Sequence, residues 1–153
     1  MRYTDEKGIS YELNEKNLTG QVVWSLEACG SITIPRSVIY DSKEYIIVSI
    51  HSGAFGRNHG IKAIQFSEDS ELSLIESGSF SSSSLNYLSL PSSIQKLEDG
   101  WNSYLSLDFE LKLPLNNQYF QYFNNQFVIG RMNSGKNENK SDQQFNCIVY
   151  SSH

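Results

Sequence analysis

Leu85-Asn86-Tyr87-Leu88-Ser89-Leu90-Pro91-Ser92-Ser93-Ile94-Gln95-Lys96-Leu97-Glu98-Asp99-Gly100-Trp101 carries apolar residues at 85, 88, 90, 94 and 97. Leu88 and Leu90 stand two apart, the spacing of a strand whose alternate side chains share a face. Upstream the same order returns as Ile61-x-x-Ile64-x-Phe66, then Leu72-x-x-Ile75-x-x-Gly78-x-Phe80, with two extra residues in a bulge at Glu68 to Ser70. The starts Ile61 and Leu85 lie 24 residues apart, a period that predicts stacked coils rather than a closed globule.

An earlier copy reads Ile32-x-Ile34-Pro35-x-x-Val38, breaks off, and resumes at Ile47-x-x-Ile50-x-x-Gly53-x-Phe55. The interruption over 38–48 is β-rich on both sides of Asp41-Ser42-Lys43-Glu44 and reads as an inserted hairpin. A later copy opens at Leu111-x-Leu113-Pro114, with Asp108 where the pattern asks for an aliphatic residue, so the repeat decays there. Stacking would align Ile32/Ile34, Ile64/Phe66, Leu88/Leu90 and Leu111/Leu113 in one inward ladder, each buried side chain contributing about 1.5 to 3 kcal/mol. Gly53, Gly78 and Gly100 precede Phe55, Phe80 and Trp101, where a sharp bend needs positive φ or close backbone approach and the aromatic plugs the bend. Pro35, Pro91 and Pro114 each follow a strand pair and, having no N–H to donate, end it.

This pattern resembles the BspA-like, or Treponema-pallidum-type, leucine-rich repeat family, whose copies read Leu-x-x-Leu-x-Leu-Pro-x-x-Leu-x-x-Ile-x-x-x-Ala-Phe. The matching residues are Ile50-His51-Ser52-Gly53-Ala54-Phe55, Ile75-Glu76-Ser77-Gly78-Ser79-Phe80 and Leu88-Ser89-Leu90-Pro91-Ser92-Ser93-Ile94. The resemblance spans about 30–114. The chain departs from the family at the hairpin insertion, at Trp101 placed one residue early, and at Asp108. It implies a β-rich leucine-rich-repeat solenoid with few or short helices. It also implies a non-enzymatic protein-interaction module of the surface-antigen or adhesin type, displayed at the cell surface and binding host or matrix protein.

A solenoid exposes an apolar cross-section at each end, so atypical capping segments are expected. The whole chain, 1–153, reads as a single domain: an N-terminal β cap over 1–29, repeats over 30–114 and a C-terminal cap over 115–153. Ile9-Ser10-Tyr11-Glu12-Leu13 and Gln21-Val22-Val23-Trp24-Ser25-Leu26 supply strands at the front. At the back, Tyr119 to Phe123, Asn124-Asn125 and Gln126 to Gly130 read as a β-hairpin, with a further strand at Phe145 to Tyr150. The polar stretch 131–144 between them reads as a mobile loop.

Composition sets the outer bounds. Ile, Leu, Val and Phe number 41 of the 153 residues, enough for a packed core, while 25 Ser and 13 Asn suit turns better than helices. Twelve Lys and Arg against 17 Asp and Glu give a formal charge of −5, which offers no basic field for nucleic acid. Apolar runs such as Tyr45-Ile46-Ile47-Val48 are too short to span a bilayer, so no transmembrane segment is expected in this chain. The first residues, Met1 to Lys7, show no apolar signal core, which leaves an intracellular interaction scaffold as the alternative to surface display.

Candidate chemistry is thin. Gly130-Arg131-Met132-Asn133-Ser134-Gly135-Lys136-Asn137 approaches a phosphate-binding loop, but Asn137 replaces the metal-binding hydroxyl, so a nucleotide-using enzyme is only a remote reading. His51, His59 and His153 lack metal-ligand spacing, and Glu68-Asp69 and Glu98-Asp99 read as solvated corners. Cys29 and Cys147 fall in opposite caps, beyond disulfide reach, and read as free. Asn17-Leu18-Thr19 and Asn139-Lys140-Ser141 match the glycosylation pattern, as Asn/Ser-rich chains do by chance. No catalytic, metal or cofactor site is expected. The residues alternating with the inward ladder must face solvent: Thr33, Gln65, Ser89 and Lys112 in one row, with Ala63, Tyr87 and Glu110 beside it. That long face is the candidate binding surface for a protein partner.

Overall fold

The computed structural model describes residues 1–114 and, beyond them, the backbone of a short strand pair at 122–123 and 126–127. The expected loop at 131–144, the phosphate-loop-like segment, the strand at 145–150, Asn139, Cys147 and His153 lie outside the described residues.

The chain folds as a β-solenoid of about four coils with no helix among the described residues. Each coil contributes one strand to each of two parallel sheets. The first sheet runs β4 (Gly30–Ile34), β7 (Ile61–Phe66), β9 (Tyr87–Ser89) and β11 (Glu110–Lys112). The second runs β3 (Thr19–Val23), β6 (Lys43–Ile50), β8 (Leu74–Ile75) and β10 (Lys96–Leu97). The period-two reading finds the first sheet. It misses β8 and β10 of the second, because Leu72-x-x-Ile75 and Ile94-x-x-Leu97 spacing has no two-residue alternation. The short strands there nevertheless pair in parallel register, with Ile75 lying beside both Ile50 and Leu97.

The inward ladder forms in register. Ile32 lies beside Ile64, Ile64 beside Leu88 and Leu88 beside Leu111. All four are buried, with Ile34 and Leu90, whereas Phe66 and Leu113 pack against the core while partly exposed. On the third side of each coil after the first, a tight corner carries the aromatic plug. Phe55 stacks on Phe80 at 5.6 Å between centroids, Phe80 meets Trp101 edge-on at 6.0 Å, and Trp101 meets Phe109 at 6.2 Å. Although Trp101 stands one position early, its longer ring system still reaches the column. Asp108 is exposed, and Phe109 supplies the apolar contact that an aliphatic residue there would have made.

Each of the three corners at 53–57, 78–82 and 100–104 contains two left-handed residues. Gly53, Gly78 and Gly100 have φ of 78°, 76° and 84°, as the bend requires. Arg57, Ser82 and Tyr104 follow at 60°, 58° and 63°, so every corner also holds a non-glycine residue in a conformation that glycine would adopt more readily. Backbone bonds tie successive corners together, among them Phe55 N–H to Ser79 C=O at 2.8 Å and Phe80 N–H to Trp101 C=O at 3.1 Å.

The front end differs from the repeats. β1 (Arg2–Thr4) and β2 (Ser10–Asn14) extend the second sheet antiparallel beyond β3, which ends at Val23 rather than running on to Leu26. The chain turns there because Ser25 is drawn inward: its hydroxyl donates to Val23 C=O at 2.7 Å and its N–H to Ala54 C=O at 2.8 Å. β5 (Ser37–Tyr40) pairs antiparallel with β6 around Asp41-Ser42, whose φ of 53° and 64° fit a type I′ hairpin turn. Tyr3 stacks on Tyr11 at 6.1 Å and meets Tyr40 of that hairpin at 5.4 Å, joining the two ends of this curled sheet. Gly20 lets the layers close, since a Cβ there would come within 2.9 Å of Leu13 Cδ2 and 3.0 Å of Ile47 Cδ1. β12 (Tyr122–Phe123) and β13 (Gln126–Phe127) pair antiparallel with one another.

Candidate functional site

Because side chains alternate along a strand, burying Ile32, Ile64, Leu88 and Leu111 turns their neighbours outward. Register places Thr33 beside Gln65, and Ser89 beside Lys112; the pairing of Ile64 with Leu88 brings Gln65 next to Ser89. Ser31, Ala63, Tyr87 and Glu110 form the second row in the same way. With strands about 4.8 Å apart, each row runs roughly 14 Å across the sheet. Gln65 Nε2 donates to Thr33 Oγ1 at 3.0 Å, so the first two members of one row brace each other. Gln65, Glu110 and Lys112 are exposed, while Thr33, Tyr87 and Ser89 are half-buried. In register, Tyr87 stands between small Ala63 and Glu110. The face is uncharged over Thr33, Gln65, Tyr87 and Ser89 and carries opposite charges at Glu110 and Lys112. It is built to hydrogen-bond and to make flat contacts rather than to concentrate charge.

Sequence reasoning misses several polar residues that hold this face. Asn58 is buried and satisfies both ends of its amide: Nδ2 donates to Ser25 and Ala28 C=O, each at 2.9 Å, and Oδ1 accepts Gly60 N–H at 2.7 Å and Ile61 N–H at 2.9 Å. It therefore anchors the entry to β7 against the preceding corner. Ser83 occupies the matching place in the next coil and accepts Leu85 N–H at 3.2 Å, so the available signal is a polar residue recurring three positions after each phenylalanine.

The carboxylates behave differently from one another. Glu98, expected at a solvated corner, accepts Ser77 N–H at 2.9 Å from the coil before it. Glu76 does the same for Ser52 N–H at 3.0 Å and also meets His51 Nδ1 at 2.9 Å. These residues cap backbone rather than pair as acid and base. Glu68 and Asp69 are exposed in the loop after β7. At the insertion, Arg36 bridges Glu71 at 2.6 Å and Glu44 at 3.3 Å, and the Glu71 hydrogen bond holds the guanidinium above its usual range. Burial, then the facing Asp5 carboxylate, pushes the Tyr11 phenol upward.

An open depression of about 720 Å³ lies at the front of the second sheet, lined among others by Met1, Glu12, Asn14, Gln21 and Ser49, and it contains none of the candidate residues. Cys29 is exposed and unbridged among the described residues. No group of three or more His, Cys, Asp or Glu able to hold a metal occurs among the described residues, and no helix there is long and apolar enough to cross a membrane.

No family model matches the chain, and no curated protein matches it. Among solved structures, a leucine-rich repeat protein from Bacteroides capillosus is similar over 72% of this chain and 97% of its own, with a TM-score of 0.49 and 16% identity. The solenoid itself rests on the register of the two sheets: Ile32, Ile64, Leu88 and Leu111 abreast in one, and Ile50, Ile75 and Leu97 abreast in the other.

Proposed function

We propose that this chain is a non-enzymatic protein-interaction module of the BspA-like kind, binding a partner protein through the solvent face of the β4-β7-β9-β11 sheet. The observation that carries the reading is the pair of in-register rows, Thr33-Gln65-Ser89-Lys112 and Ser31-Ala63-Tyr87-Glu110, mounted on a buried ladder. A backbone fixed in this way loses little conformational entropy on binding, and Tyr87 offers large contact area with few rotatable bonds. Lys112 and Glu110 at one end supply the charges that set orientation.

A surface antigen or adhesin fits this geometry, with an extended partner laid across the rows. An intracellular scaffold is the second reading, favoured by the exposed thiol of Cys29, which suits a reducing compartment. Labelling intact cells with a membrane-impermeant reagent separates them: labelled protein supports surface display, and protection removes it.

The face is tested with a partner isolated on the immobilised chain. Tyr87→Ala with Lys112→Glu should weaken binding at least about tenfold, as loss of an aromatic anchor and a charge does, while Lys96→Glu on the other sheet should leave it unchanged. Equal losses from the two sheets would rule out the assigned face.

A further inference from the structure

The two sheets end differently at the front of the molecule. The second sheet is prolonged beyond β3 by β2 and β1, but the first stops at β4, and among the described residues no strand pairs its outer edge. Gly30 N–H bonds to Gly60 C=O at 2.8 Å and Ile34 C=O accepts Ser67 N–H at 3.1 Å, so Gly30, Ile32 and Ile34 direct their backbone groups toward β7. By alternation, the N–H and C=O groups of Ser31 and Thr33 point away from it. Proteins ordinarily guard such an edge with charge, a bulge turned outward or a covering segment. Here the edge carries Ser31, Ile32 and Thr33 with no charge. At the outer strand of the other sheet, by contrast, Arg2 of β1 and the adjoining Met1 ammonium both bridge Glu12, at 3.3 and 3.0 Å.

Exposed apolar side chains precede and follow this strand along the chain. Trp24 and Leu26, 60% and 58% exposed, lie in the corner that leads into β4; Ile39 and Tyr40, 69% and 36% exposed, lie in the hairpin that follows it. A two-fold axis through Ile32 would set Ser31 opposite Thr33 of the other copy and Thr33 opposite its Ser31. Both residues would then exchange their outward N–H and C=O groups. The same axis repeats every contact in both copies, the reciprocal arrangement that an isologous interface demands.

We infer that the outer edge of β4 pairs antiparallel with the same edge of a second copy of this chain, joining two four-stranded sheets into one of eight. The contact uses the backbone edge of β4 rather than the sheet face, and the residues it shares with the partner-binding face proposed above are Ser31 and Thr33, at one end of the two rows.

The test is sedimentation of the full chain over concentrations up to about 100 µM, a range that captures even modest affinities. The wild type should show a reversible monomer–dimer equilibrium. Ser31→Lys with Thr33→Lys places like charges opposite one another and should weaken the dimer about tenfold or more; Ser31→Glu with Thr33→Glu should do the same. Mixing the lysine and glutamate proteins should restore association as a heterodimer, a result that misfolding of either variant would not produce. Trp24→Ser should weaken the dimer, and Leu107→Ser, at an exposed position of the last corner, should not. A wild type that stays monomeric throughout overturns the inference and leaves the edge to an extended segment of some other protein. So does a dimer that tolerates both charged variants, or variants that fail to recombine.

Discussion

Residues 1–50 and the coils that follow reach stability by different routes. The front is a curled sheet with one eight-residue strand, cross-strand tyrosines and ion pairs between residues distant in sequence, such as Arg36 with Glu71. Beyond the six-residue β7, the later coils have strands of two or three residues, too short to persist alone, and depend on a core and a corner column that continue from coil to coil. A defect in the column should therefore spread, whereas a defect at the front should stay local.

The largest effect expected is at Leu88, which is fully buried between Ile64 and Leu111. Leu88→Asp should unfold the coils because an unpaired charge is placed in the core, while Ser89→Asp, one residue on and facing solvent, should be nearly neutral. Equal melting temperatures for the two would contradict the alternation. Next comes the column itself: Phe80→Ala should cost about 3 to 5 kcal/mol by urea denaturation. Tyr3→Ala, at a partly exposed ring of the front sheet, should cost less, about 1 to 2 kcal/mol. Reversed magnitudes would break the contrast between the regions.

Smaller changes sharpen it. Asn58 joins the front corner to the repeats by four short hydrogen bonds, and Asn58→Ala should lose about 2 to 3 kcal/mol by leaving buried backbone groups unpaired. Ser82→Gly should raise stability by about 0.5 kcal/mol, because relief of the left-handed backbone outweighs the added chain entropy; a loss would show that the side chain matters more than the strain.

The smallest effect is electrostatic. The hydrogen bond from the Met1 ammonium holds the Glu12 carboxyl below its usual range. A carboxyl lowered in the folded state adds stability above the unfolded value near about 4.3, and that stability is lost as the pH falls through the lowered folded value. Glu12→Gln should therefore cost no more than about 0.5 kcal/mol at neutral pH, given its exposure, with the difference from wild type vanishing in strong acid. A difference that grows on acidification would refute the assignment.

Much of this architecture is written in local spacing. Leu88-x-Leu90 states which side chains turn inward, and its return at Ile64-x-Phe66 states that the coils stack. The glycine before each aromatic announces the bend. The Asn58 anchor and the Glu76 and Glu98 caps were legible only in part, because a single Asn or Glu at a turn looks the same in sequence whether it meets water or an amide from the coil before. The same holds for the second sheet: a two-residue strand has too little length to show alternation, and only its neighbours define it.

The order of apolar residues thus determined the solenoid, the inward ladder and the outward rows, since periods of two and of about two dozen residues are properties of a single chain read in line. The tertiary structure decided that the front strands prolong one sheet and not the other, that Tyr3 meets Tyr40, and that no strand among the described residues pairs the outer edge of β4. Those outcomes depend on how far a twisted sheet curls and on which distant strands then come within hydrogen-bonding reach, and no local pattern encodes that distance.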